Sequence, residues 1–229
     1  MSVPPPDFGE PFLSWLREET EGAWAKLPAA DQGWQPGTKW GTPLSDAELS
    51  DAEKFIGLRF APDYRLFLRT LHTTTNRPKA IRYQGSEGKS VEVPGFYDWR
   101  KDREELRSAL ENAAASALRE VEQGGLWLSE WGEKPASSAD QLRVLKAKVQ
   151  ESSPLVPVFG HRFLVADLPE PGNPVLSIYG GDVVVYGEDL RAYLLREFSE
   201  LIKPEKPAVD QPRSVRQVSS VRLWGWLVT

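Results

Sequence analysis

The chain predicts an α+β fold, with one mainly antiparallel sheet in meander order flanked by helices in a single domain. Three observations carry this. Residues 154–187 hold four short apolar runs, at 156–159, 162–167, 175–179 and 182–186, each the length of a strand and bounded by turn residues. The links are short: Gly160-His161 and Gly180-Gly181 suit two-residue turns, and 169–173 is a proline-rich loop. Consecutive strands joined this way return side by side without a crossover. The remaining segments carry apolar residues at helical spacing, with capping residues before them and glycines after.

In chain order, residues 1–6 hold Pro4-Pro5-Pro6 and no apolar pattern, which predicts disorder. A helix is expected over 8–27, with Asp7 and Glu10 as a capping pair and Phe12, Trp15, Leu16, Ala23 and Leu27 on its buried side. Residues 29–43 read as a loop carrying Trp34 and Trp40. Ser45-Asp46-Ala47-Glu48 is a capping box, and the helix it opens buries Leu49, Ala52, Phe55 and Ile56 before Gly57 ends it. Pro62 opens the next helix, where a missing N–H is harmless, with Tyr64, Phe67, Leu68 and Leu71 inward.

Strands at 79–84 and 90–93 flank a turn at 85–88, and Pro94-Gly95 ends the second. A long helix over 100–123 buries Leu106, Leu110, Ala113, Ala117 and Val121, and Gly124-Gly125 stops it. Ser138 with Gln141 caps a shorter helix burying Leu142, Leu145 and Val149. After the meander, Glu188 and Asp189 stand in the first turn of a helix, where carboxylates complement its dipole. Its apolar face is Leu190, Tyr193, Leu194, Phe198 and Leu201. Residues 203–213, KPEKPAVDQPR, read as a linker. Residues 214–229 end in VRLWGWLVT, a tail apolar enough to dock on the core of the domain at 7–202.

Composition narrows function. The chain lacks cysteine, which excludes disulfides, thiolate metal sites and a cysteine nucleophile. His72 and His161 are its two histidines, so a multi-histidine metal site is excluded, and no cofactor is expected. A net charge of −5 disfavours direct nucleic-acid binding and suits a basic protein partner. No leader and no long apolar run is apparent, so a cytoplasmic monomer without membrane contact is expected.

Several stretches resemble a known family. Trp40-Gly41, the capped helix SDAELSDAEKFIGLRF and APDYRLFLRTL resemble the opening of the SUKH superfamily (Smi/Knr-type). GNPVLSIYGGDVVVYGEDLRAYLLREF resembles its closing strands and helix. GFYDWRKDREEL, GLWLSEWGEKP and PLVPVFGHRFL are similar to a bacterial branch with a long helical insert. The resemblance covers about residues 40–198, and HTTTNRPKA departs from the family's usual polar-glycine loop. It implies an α+β fold and a protein-binding role with no catalytic motif. Many bacterial members resemble immunity proteins that neutralise a cognate nuclease or other toxin. Fungal relatives are regulators, so an intracellular signalling scaffold is the alternative.

The candidate partner-binding residues fall in three places. Asp46, Glu48, Asp51 and Glu53 line the outer face of the capped helix, to meet a basic partner or simply to be solvated. Trp131 is a candidate anchor: residues 126–128 cannot all face inward in an extended segment, so side chains of 126–135 divide between core and surface. His161 stands at an expected turn tip beside Arg162, the first residue of the next strand, for a partner contact or a local hydrogen bond. Gly180-Gly181 lacks the lysine and helix of a phosphate loop. Ser177, His161 and Asp167 form no nucleophile elbow, so a hydrolase is a remote alternative and no catalytic residue is assigned.

Overall fold

In the computed structural model, which describes residues 3–29, 33–84, 89–122, 127–166, 171–179 and 182–203, the chain runs through helices and strands in the expected alternation. Helices α1 (Glu10–Trp24), α2 (Asp46–Ile56) and α3 (Pro62–Thr70) precede a hairpin of β1 (Lys79–Gln84) and β2 (Lys89–Pro94). Helix α4 (Arg103–Glu122), a 3-10 turn at Ser129–Trp131 and α5 (Ser138–Gln150) follow. The chain then forms β3 (Leu155–Phe159), β4 (Arg162–Val165), β5 (Val175–Tyr179) and β6 (Asp182–Gly187), and closes with α6 (Leu190–Glu197) and α7 (Ser199–Ile202).

The main sheet is the expected meander, in the order β3-β4-β5-β6, and every pairing is antiparallel. Leu155 lies opposite Val165, Arg162 opposite Ser177, and Tyr179 opposite Asp182. Helix α4 lies against β3 and β5 while α6 lies against β6, which is why β3 and β5 are buried along nearly their whole length. One aromatic core joins these layers to the N-terminal helices. Trp40 sits 5.2 Å from Phe96 and 5.8 Å from both Trp24 and Phe198, ring centroid to ring centroid. Its indole N–H donates to Thr20 Oγ1 (2.9 Å), whose hydroxyl donates to the Leu16 carbonyl. A tryptophan from a loop is thus a central core residue, and burying each such ring contributes on the order of 1.5–3 kcal/mol.

Two joints need glycine for close approach. A Cβ on Gly95 would lie 2.9 Å from both the Pro78 carbonyl and the Phe159 ring, where residues 95–97 bond the outer edge of β3. A Cβ on Gly187 would lie 2.5 Å from the Tyr193 backbone nitrogen, where β6 meets α6.

Local chemistry sets most helix ends. The capping box of α2 forms as expected: Ser45 Oγ accepts from the Glu48 amide and Glu48 accepts from the Ser45 amide, while Gly57 closes the helix at φ 74. Other ends differ. Helix α1 begins at Glu10 behind Gly9 and makes no side-chain cap, so the Asp7–Glu10 pair is not formed. Ser138 is the first residue of α5 and Ser137 its cap, again without a side-chain bond; Gln141 instead donates to the Pro135 carbonyl. The last helix breaks at Phe198, which turns Ile202 into the core in place of Leu201. Residues 3–6 do not show the expected disorder, since Pro4 is buried and the Pro5 carbonyl accepts two hydrogen bonds from Arg191. The expectations for Asp167, Gly180-Gly181, the linker from 204 onward and the apolar tail lie outside the described residues. Among those residues no helix is long and apolar enough to cross a membrane.

Candidate protein-binding surfaces

Each carboxylate on the acidic face of α2 is paired with an arginine. Asp46 pairs with Arg69 at 3.2 Å, Glu53 with Arg65 at 2.6 Å, Asp51 with Arg103, and Glu48 with Arg100. The last pair is two-pronged, Arg100 Nε to Oε1 at 2.5 Å and Nη2 to Oε2 at 2.9 Å. That fork matches guanidinium to carboxylate. With the Ser45 amide it holds the Glu48 pKa down at about 2. Arg100 also donates to the Thr42 and Pro43 carbonyls. The face is therefore a mosaic of alternating charge.

Behind it stands His72, 1% exposed and at φ 65. The Trp99 backbone N–H donates to Nε2 at 3.1 Å, so that nitrogen carries no proton. A neutral ring then carries its proton on Nδ1, which faces the Thr42 carbonyl at 3.2 Å with the Arg100 guanidinium beside it at 3.1 Å. Burial, the largest cause, lowers the His72 pKa against the opposing pull of Asp98. Its hydrogen bonds tie the α3 end to the 98–102 turn, so its role is structural.

Trp131 is turned inward and is only 8% exposed, which removes it as a ready surface anchor. The physical reason is the 3-10 turn, which ends at Gly132 with φ 89 and replaces the extended geometry assumed from sequence. Its ring meets Trp127 edge-on at 5.4 Å, and the Trp127 N–H donates to the Gly132 carbonyl. Arg162 is likewise directed into the molecule. Its guanidinium lies 3.8 Å over the Tyr186 ring and donates to Ser177 Oγ and His161 Nε2. Arg196 covers the same ring at 4.4 Å. Ser177 thus serves Arg162 from inside a strand. Burial pushes the pKa of the neighbouring Glu197 up, with Arg162 opposing. His161 is half-buried, its ring edge-on to Tyr179 at 5.4 Å.

A cleft of about 720 Å³ opens on another side, where the N-terminal segment, the first turns of α3 and α6, and Pro171-Gly172 meet. Asp7, Asp63, Glu188, Asp189 and Arg191 are among the residues that line it. Asp63 is 5% exposed and anchors the site: Oδ1 accepts from the Tyr64 amide (2.8 Å) and Oδ2 from the Gly172 amide (3.0 Å). Burial, with Asp189 nearby, raises its pKa. Asp189 caps α6 by accepting from the Ala192 amide at 2.7 Å. The lining supplies carboxylates but no hydroxyl, thiol or imidazole. Among the described residues no group of three or more carboxylate or histidine side chains converges closely enough to hold a metal ion. The cleft instead has the size and charge for an organic cation such as a lysine or arginine head group.

Sequence reasoning did not find this cleft. Glu188 and Asp189 were legible as helix-start carboxylates, and Pro62-Asp63 is the same signal, but nothing local brings two helix starts together. No protein-family profile, curated protein or solved structure matches the chain.

Proposed function

We propose that this protein is a non-catalytic protein-binding domain, an immunity protein of SUKH type that captures and neutralises a cognate basic toxin domain in the cytoplasm. One observation carries the reading: the concave feature at α3 and α6 is lined by four acidic residues and one arginine. The net charge of −5 and the sequence resemblance support it. Nuclease toxins act on a polyanion and tend to be basic, so an acidic inhibitor is steered to them over distances of about a Debye length. The cleft receives a basic side chain of the toxin, and the surrounding surface completes an interface of roughly 1,200–2,000 Å².

The test is co-expression with a toxin domain encoded beside this gene. Survival with the protein, death without it, and a complex that associates more slowly as salt rises are the expected results. Equal killing in both cases, with no complex at low salt, excludes that toxin. The same outcome for every candidate toxin in the genome replaces this reading with the signalling scaffold.

A further inference from the structure

The outer edge of β6 lacks a strand partner among the described residues, since the sheet ends there. The direction of its amides follows from the pairing. Ile178 donates to the His161 carbonyl, so its backbone faces β4 and that of Ser177 faces β6. Ser177 lies opposite Val184, so Val184 bonds back to β5 while the amides of Val183 and Val185 point outward. The strand reads DVVVYG, three β-branched valines and a tyrosine in its interior, with no proline, lysine or inward charge to discourage pairing. Folded proteins cover such an edge.

Twenty-six residues, 204–229, follow the last described one, Lys203. Their final stretch, VRLWGWLV at 221–228, is rich in the valine and tryptophan that favour strands. Residues 211–229 contain Arg213, Arg216 and Arg222 and no acidic residue, although the chain as a whole is acidic. Exposed Asp182 begins β6, and Glu188 follows its end. The reach is sufficient. Arg196 lies on Tyr186 of β6, and Lys203 follows seven residues later, about 10 Å along a helix. The ten residues of 204–213 can then span up to roughly 33–36 Å.

We propose that residues 221–228 add to the outer edge of β6 as a further strand, closing the sheet with the chain's own C-terminal segment. The main-chain groups of Val183 and Val185 supply the pairing. The arginines upstream and within the segment complement the acidic ends of β6.

The experiment compares amide exchange at Val183 and Val185 in the full chain, in a chain stopped after Lys203, and in full-chain Leu223→Pro, which breaks the added strand without shortening the chain. Both variants should exchange about tenfold faster at these two amides, while Ser177 stays within about twofold. A peptide of residues 214–229 added to the truncated chain should restore protection. Should the truncated chain fail to fold, Leu223→Pro alone decides. Unchanged exchange in Leu223→Pro overturns the proposal. So does a lower Tm on truncation with β6 exchange unaltered, which places the tail elsewhere on the core. Protection that rises with protein concentration, together with a dimer in sedimentation, assigns the edge to a second copy and also overturns it.

Discussion

The outer face of α2 and the cleft between α3 and α6 each carry four carboxylates, yet they present different surfaces. On α2 every carboxylate meets an arginine from another segment: Arg65 and Arg69 from α3, Arg100 from the 98–102 turn and Arg103 from the start of α4. In the cleft the carboxylates of Asp63 and Asp189 accept backbone amides, which orient them. The single guanidinium there, Arg191, is turned to the Pro5 carbonyl and the Phe12 ring. A count of acidic residues therefore does not locate an acidic surface. The identity of the donors that meet them does.

The largest effect should come from the joint that builds the cleft. Gly187→Ala forces a Cβ into the Tyr193 backbone and pushes α6 off β6. A loss of about 3 kcal/mol, or roughly 6–12 °C in Tm, is expected. The α2 pairs should survive in the folded fraction, which the chemical shifts of the Arg100 and Arg103 guanidinium groups would report. A variant as stable as wild type would show that the β6–α6 approach is looser than drawn.

The comparison sharpens most directly in binding. With a basic toxin partner, Glu188→Lys in the cleft should slow association by about tenfold, whereas Asp46→Lys on α2 should change it by about twofold or less. Stopped-flow association at low salt measures both. The reverse ranking would return the α2 face to the centre of recognition.

Acid separates the same two regions, since it acts on them with opposite sign. His72, behind α2, has a folded pKa below its unfolded value near 6.5, so its contribution to stability is complete above that pH and declines as pH falls beneath it. Urea unfolding between pH 7.5 and 5.5 should show a slope of at most about 1.4 kcal/mol per pH unit from this one proton. His72→Asn, which tolerates the positive φ, should flatten that slope. A slope that persists in the variant would place the titration elsewhere.

Asp63 behaves in the opposite way and with the smallest effect. Its folded pKa is raised, so wild-type stability falls as pH climbs above about 3.8 through the folded value. Asp63→Ala leaves the Gly172 amide without its acceptor and should cost about 1 kcal/mol. The gap between wild type and variant should narrow as pH rises through that window. A gap that widens instead would mean that the carboxylate is better solvated than its burial implies.

Much of the architecture was legible because it is local. The Ser45–Glu48 box spans four residues, Gly57 directly follows the helix it opens, and short links leave consecutive strands little choice but to pair. Alternation and helical period likewise placed Tyr64, Phe67 and Leu68 inward. The site was not legible in the same way. An extended segment leaves Trp131 open between core and surface, and a 3-10 turn ending at Gly132 decides it for the core. Arg162 begins a strand beside an expected turn tip, and the Tyr186 ring that holds it arrives 24 residues later.

The sequence by itself determined the meander, the capped α2 helix and the apolar faces that pack, since each depends on backbone preferences and periodicity within a few residues. Tertiary structure decided which charges are cancelled and which line a cleft. Glu48 is neutralised by Arg100, 52 residues away, and Asp63 reaches the Gly172 amide across 109 residues. A charge acts through space, on whatever the fold brings within a few ångströms, and separation along the chain carries no trace of that distance.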